Sequence, residues 1–249
     1  MKKRVFVVLI LALAIMGISK NVYAKENTYY TTPNGIELTR EEYEFLTTFY
    51  WDGYPDIMTQ AMYDKFIEED LINSDVQIRT YTEPQLGTMT SGTRSTSHST
   101  NYKTIQISSG CFDTYCLISI LNTWHGIPTV KGWDNIGAYI SGTNLISHEY
   151  TLVANTNGAT YYNNLKTATN GIGNSVELPN DDSIPVINMA FKVGRGGTVF
   201  GSYQHAMQST TLLNSQNYNF DILGEGGVFG YYGTAVGIYD GMNGVDITV

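Results

Sequence analysis

Two cysteines, four histidines, many carboxylates and a high aromatic content are the features of this 249-residue chain that could do chemistry. The cysteines are the most informative. Cys111 and Cys116 enclose Phe112-Asp113-Thr114-Tyr115, and four residues is the length of a common hairpin loop. If the cysteines face each other, the register pairs Ser109 with Ile118, Ile107 with Ile120, Ile105 with Asn122 and Lys103 with Trp124. Ile105, Ile107, Ile118, Ile120 and Trp124 then share one face, as a half-buried hairpin requires. Facing positions bring Cα atoms within the range a disulfide tolerates. A Cys111–Cys116 bridge is therefore expected. The rival reading makes one cysteine a nucleophile with His98, His125, His148 or His205 as base. No papain-type or caspase-type signature surrounds either cysteine.

Other catalytic templates are incomplete. His148-Glu149 begins an H-E-x-x-H zinc motif, but Leu152 stands where the second ligand belongs. There is no G-x-S-x-G elbow and no P-loop. Gly194-Arg195-Gly196-Gly197 reads as a hairpin turn, not a phosphate cradle, because no helix follows it. The turn reading pairs Val193 with Thr198 and Phe191 with Phe200, with Ile187, Met189, Phe191 and Phe200 on one face. Carboxylates that could act as a glycosidase pair sit mostly beside turn residues, as in Asp181-Asp182 and Asp240-Gly241. The Asp240–Gly244 stretch is ordinary turn chemistry before it is a calcium loop. No cofactor or metal is expected.

A binding site is the remaining option. Trp124, Trp133 and Tyr139, near Asp134 and Asn135, form a candidate ligand platform of aromatic faces flanked by polar groups. Core packing explains Trp124 without a ligand. Trp133 is the better candidate, because Gly132 and Asp134 suggest a loop.

Three units have to position these residues. The first 24 residues read as an export signal: basic Lys2, Lys3 and Arg4, twelve apolar residues from Val5 to Met16, and a cleavage site at Val22-Tyr23-Ala24. Twelve apolar residues are too few to span a bilayer core, which takes roughly 20. The mature chain would hold 10 Lys+Arg against 23 Asp+Glu, a net charge of −13. That balance argues against nucleic acid or anionic lipid as partner.

Residues 25–79 read as an acidic helical hairpin. Thr39-Arg40-Glu41-Glu42 fits a capping box. Tyr43, Leu46 and Tyr50, with Phe45 and Phe49 beside them, follow helical spacing. Asp52-Gly53 and Pro55 end this helix, and Thr59 caps a second that buries Met62, Phe66 and Ile67. The string Glu42-Tyr43-Glu44-Phe45-Leu46, Tyr50-Trp51-Asp52-Gly53-Tyr54, Met58-Thr59-Gln60 and Tyr63-Asp64 resembles a segment of uncharacterised secreted proteins of Gram-positive bacteria. The resemblance covers about 30 residues and implies an origin and a localisation, not an activity.

Residues 80–101 read as a linker: 11 of the 21 residues from Thr80 to Thr100 are Ser or Thr. From residue 102 onward, runs rich in Ile, Val, Thr, Tyr and Phe alternate with Gly, Asn, Asp and Pro. About eight to ten strands without crossover helices indicate an antiparallel β-sandwich of Greek-key or jelly-roll type over residues 102–249.

The resulting expectation is a secreted, extracellular protein with a non-catalytic β-sandwich for binding or surface interaction. Its partner would be a carbohydrate or a cell-surface component, with no nucleic acid and no membrane insertion. The alternatives are a secreted glycan-acting hydrolase using an Asp/Glu pair, and a secreted toxin or antimicrobial factor.

Overall fold

The structure, a computed structural model, describes residues 27–82, 103–168, 170–217, 220–223, 228–231, 239 and 243–249. The export segment, residues 83–101 of the Ser/Thr-rich linker and Asp240–Met242 of the candidate calcium loop lie outside them.

The described chain begins with a small hairpin, β1 (Tyr30–Thr31) and β2 (Glu37–Leu38). Helices α1 (Arg40–Phe49), α2 (Tyr54–Ile57) and α3 (Gln60–Glu68) follow, then a 3-10 turn at Leu71–Asn73. The next strands are β3 (Asp75–Thr82), β4 (Lys103–Cys111), β5 (Tyr115–Trp124), β6 (Trp133–Ser141), β7 (Leu145–Asn155), β8 (Gly158–Tyr161), β9 (Leu165–Ala168), β10 (Gly171–Glu177), β11 (Val186–Gly194) and β12 (Thr198–Gln204). Helix α4 (Leu212–Asn217), the pair β13 (Phe220–Leu223) and β14 (Val228–Tyr231), and β15 (Asn243–Thr248) complete it.

The architecture is mainly β: two antiparallel sheets packed as a sandwich. One has the order β3-β4-β5-β11-β7-β8, the other β15-β12-β6-β10-β9. Their facing sides share one core, which includes Ile105, Ile107, Ile118, Ile120, Ile136, Phe191 and Val199. Gly201 lets the sheets meet, because a Cβ there would come within 2.8 Å of Ile120 Cδ1. The β4–β5 register is the expected one, from Lys103 opposite Trp124 to Cys111 opposite Cys116.

Several expectations need correction. Gly194–Gly197 is not a hairpin turn: β11 pairs with β5 and β7, while β12 pairs with β6 and β15, so the connection crosses between sheets. Val199, Gly201 and Tyr203 therefore face inward, and Phe200 turns outward onto Tyr139. Gly197 is needed for a close approach: a Cβ there would lie 2.4 Å from the carbonyl of Ser141. Trp133 and Asp134, expected in a loop, instead begin β6, at the centre of the smaller sheet. Strand β3 runs across the expected boundary between residues 79 and 80 and joins the six-stranded sheet.

The helices form as expected locally. Thr39 closes a capping box with Glu42, and Thr59 caps α3. Pro55 does not simply end α1; it sits in the first turn of α2, where its missing N–H is harmless. Ile67 is 47% exposed, not buried, because the face of α3 carrying Phe66 is the one turned to the protein. Leu46, Phe49, Tyr50, Tyr54, Met58 and Phe66 pack with Leu117 of β5 into a second core on the outer face of the six-stranded sheet. Strand β5 is thus buried on both faces.

Candidate functional site

Cys111 and Cys116 are joined by a disulfide, with Cα atoms 4.1 Å apart at the β4–β5 tip. Phe112 N donates to Tyr115 O at 2.9 Å and closes the loop. Both sulfurs are consumed in a buried bond, and no free cysteine remains among the described residues. The nucleophile reading has no thiol to act with.

The proposed aromatic platform is not assembled. Alternation along β6 sends Ile136, Ala138 and Ile140 into the sandwich core, and Asp134 goes with them. Trp133 and Tyr139 take the opposite face, six residues apart or roughly 20 Å along a strand. Trp133 meets Tyr162 edge-on at 6.0 Å, and Tyr139 lies 5.9 Å from Phe200. Trp124 is in the core.

Trp124 and Asp134 do meet, through Tyr203, which the sequence did not single out. Trp124 Nε1 donates to Tyr203 Oη at 3.3 Å, and Tyr203 Oη donates to Asp134 Oδ2. His205 Nδ1 lies 3.0 Å from Asp134 Oδ2, and Ala206 N donates to Oδ1 at 2.8 Å. The Lys103 ammonium sits 5.5 Å from the Trp124 ring and 5.3 Å from the Tyr203 ring. All five side chains are buried. This is an interior network whose buried polar groups satisfy one another.

The site open to a ligand lies elsewhere. A cavity of about 520 Å³ separates α1, α2 and α3 from the outer face of the six-stranded sheet. That volume falls within the usual range for small-molecule sites. The helices contribute Leu46, Tyr50, Tyr54, Met62 and Phe66; the strands contribute Leu117, Tyr150, Tyr161 and Ala190. Ala190 lies on the central strand β11, where its small side chain leaves room above the sheet.

Four charges stand at one side of this cavity. Lys192 of β11 reaches Glu69 at 2.6 Å and Glu149 at 4.0 Å. Lys65 pairs with Glu149 and lies 3.9 Å from Glu69, its i+4 neighbour. Lys65, Glu69 and Glu149 line the cavity. Glu149 arrives there through a β-bulge. The β7–β11 register shifts between Ala190 and Phe191, so that Tyr150 faces Ala190, His148 faces Phe191, and Glu149 is the extra residue. The bulge is why consecutive residues Glu149 and Tyr150 both line one cavity. It also turns His148 toward Thr151, whose Oγ1 is 2.9 Å from His148 Nε2.

Four tyrosines give the cavity its character. The Tyr50 and Tyr54 rings stack with centroids 4.0 Å apart, and Tyr150 Oη lies 3.5 Å from Tyr54 Oη. Burial pushes the hydroxyls of Tyr50, Tyr54 and Tyr150 well up, so all three remain protonated donors. Tyr161 is 52% exposed, and its hydroxyl reaches Met62 Sδ at 3.4 Å.

Among the described residues, no cluster of three or more His, Cys, Asp or Glu is placed to hold a metal ion. No described helix is long and apolar enough to cross a membrane.

Fold and site together define an antiparallel β-sandwich with a helical unit docked over one sheet and a tyrosine-lined cavity between them. No family model and no curated protein matches the chain. Among solved structures it is similar to the KRT10-binding region domain of the pneumococcal serine rich repeat protein PsrP, at 10% identity and a TM-score of 0.30, over 52% of this chain and 86% of that one. It is also similar to AvmM, which catalyzes macrocyclization in alchivemycin A biosynthesis, at 9% identity and a TM-score of 0.25, over 53% and 78% of the two chains. Likenesses of this extent carry no weight for function.

Proposed function

We propose that this protein is an exported bacterial binding module, released after cleavage behind Ala24, that captures a ligand from a cell-surface component in the cavity between its helical unit and its larger sheet. The supporting observation is the cavity itself: open, lined by four tyrosines, and bordered by ionic groups that already have partners. Aromatic faces with a few polar groups are what a binding pocket needs for area and orientation.

One observation favours a second reading. Glu69 and Glu149 converge on the same ammonium, and a retaining glycosidase places its carboxyl groups about 5–5.5 Å apart. Such an enzyme needs one carboxyl to give up a proton. Here each carboxylate accepts from a lysine, which suits holding a charge balance better than acid catalysis.

Expression of the whole chain tests the proposal. The supernatant should contain protein beginning at Lys25, and thermal unfolding against a panel of neutral saccharides and surface glycolipids should reveal one class that raises Tm. Full-length protein retained with Met1 would refute export. Release of new reducing ends from a bound glycan would replace binding with hydrolysis.

A further inference from the structure

We infer that the cavity selects an uncharged amphiphile, a molecule with an apolar body and a hydroxylated head that carries no ion. This deepens the proposed function and rests on the cavity being the ligand site. Three features of the cavity support it.

First, the inner wall is apolar. Leu46, Phe66, Leu71, Leu117 and Ala190 come from both the helices and the sheet. An apolar group placed against that wall exchanges water for hydrocarbon contact. Second, the uncharged polar groups lining the cavity include three phenols: Tyr50, Tyr54 and Tyr150 are protonated hydroxyls able both to donate and to accept.

Third, the ionic groups at the side are balanced and shared. Two ammonium groups and two carboxylates sum to zero charge, and each lysine lies within 4.0 Å of both carboxylates. Glu69 and Glu149 are 12% exposed and Lys192 is 18% exposed. An anionic ligand binding Lys192 would draw it from Glu69; a cationic ligand binding Glu149 would draw it from Lys65. The first exchange leaves Glu69, 12% exposed, with only its 3.9 Å contact to Lys65, which is costly for a largely buried charge; the second releases Lys65, which is 48% exposed, and costs less. A hydroxyl avoids that exchange, because a carboxylate oxygen can accept a further hydrogen bond while keeping its lysine. The arrangement therefore disfavours an anionic head most strongly and a cationic head less, and admits sugar-like or alcohol-like heads.

The test uses the secreted full chain and three probes sharing one eight-carbon tail: octyl glucoside, octanoate and octylammonium, each below its micelle-forming concentration. Calorimetric titration should show the glucoside binding at least tenfold more tightly than octanoate, and more tightly than octylammonium or glucose alone. Ala190→Leu fills the space above β11 and should remove binding, with a lower Tm because Ala190 is 1% exposed. Tyr161→Ala, which alters the exposed wall of the cavity, should also weaken binding at least tenfold without that loss. Glu69→Gln leaves the cluster one positive charge in excess and should shift preference toward octanoate. Failure of every probe to bind, or binding that survives Ala190→Leu, would overturn the cavity as the ligand site. Equal binding of all three probes, lost in Ala190→Leu, would keep the site and overturn the charge selection.

Discussion

Cys111 and His148 show how differently single residues disclose their roles. The disulfide was legible because two neighbouring cysteines set a hairpin register and that register sorted the isoleucines. The bond closes a short ring, so it removes little freedom from the unfolded chain. Replacing both cysteines with Ser should cost about 2 kcal/mol or less by urea denaturation. A peptide spanning both residues should be lighter by two hydrogens when isolated without reductant. Two free thiols in that peptide would contradict the bond. His148 was legible only as half of a failed zinc motif. Its surroundings come from the β7 bulge, and burial is the main cause that lowers its pKa below the usual histidine value. The unfolded chain then binds a proton more readily than the folded one, so stability rises with pH through the histidine range and falls on acidification. His148→Gln should flatten the dependence of the denaturation midpoint on pH between about 5 and about 7. An unchanged slope would show that His148 does not couple folding to protons. Asp134 was legible only as a polar flank of the aromatic platform, because an Asp near Gly132 and Asn135 reads as a turn until β6 carries it into the core.

Elements were legible where local chemistry and tertiary demand agree. Helix α1 announced itself by its capping box, and the contacts are present: Glu42 N donates to Thr39 Oγ1 at 3.2 Å, and Thr39 N donates to Glu42 Oε2 at 2.7 Å. Glu42 also accepts from Tyr63 Oη of α3 at 3.1 Å, which ties the two helices together. Thr39→Ala should cost about 1 kcal/mol, with an unchanged denaturant slope. Glu42→Ala should cost more, since it removes the Tyr63 contact as well; equal costs would mean that contact contributes nothing. Strand β6 was not legible. Its Asp134, Asn135 and Gly137 have poor strand propensity, yet neighbours on both sides, β10 and β12, hold it in the sheet. The Gly194–Gly197 connection misled for a related reason: strand spacing cannot distinguish a hairpin from a crossover when both strands are apolar. The cavity was hidden too, since Glu149 reaches it only through a bulge and Ala190 only by lying between β5 and β7.

At the scale of the molecule, the helical unit and the sandwich share strand β5. Cys116, Ile118 and Ile120 face the sandwich core, and Leu117 between them belongs to the core of the helical unit. Tyr150 of β7 and Val76 of β3 pack against that second core as well. Ion pairs from Lys192 to Glu69 and from Lys65 to Glu149 fasten α3 to the sheet beside the cavity. A helical hairpin this short is marginal in isolation, and its apolar side is buried only because the sheet supplies a floor. The two cores should therefore melt together. Leu46 is fully buried at the centre of the helical core, and Leu46→Ala should cost about 2–5 kcal/mol. For a chain of this size, each kcal/mol lowers Tm by about 2–4 °C. Calorimetry of the variant should show one transition moved to lower temperature, with the sandwich's near-ultraviolet signal lost in step with helical signal. An early helical transition followed by an unshifted β transition would mean that the helical unit unfolds from its floor independently, and that the cavity opens with it.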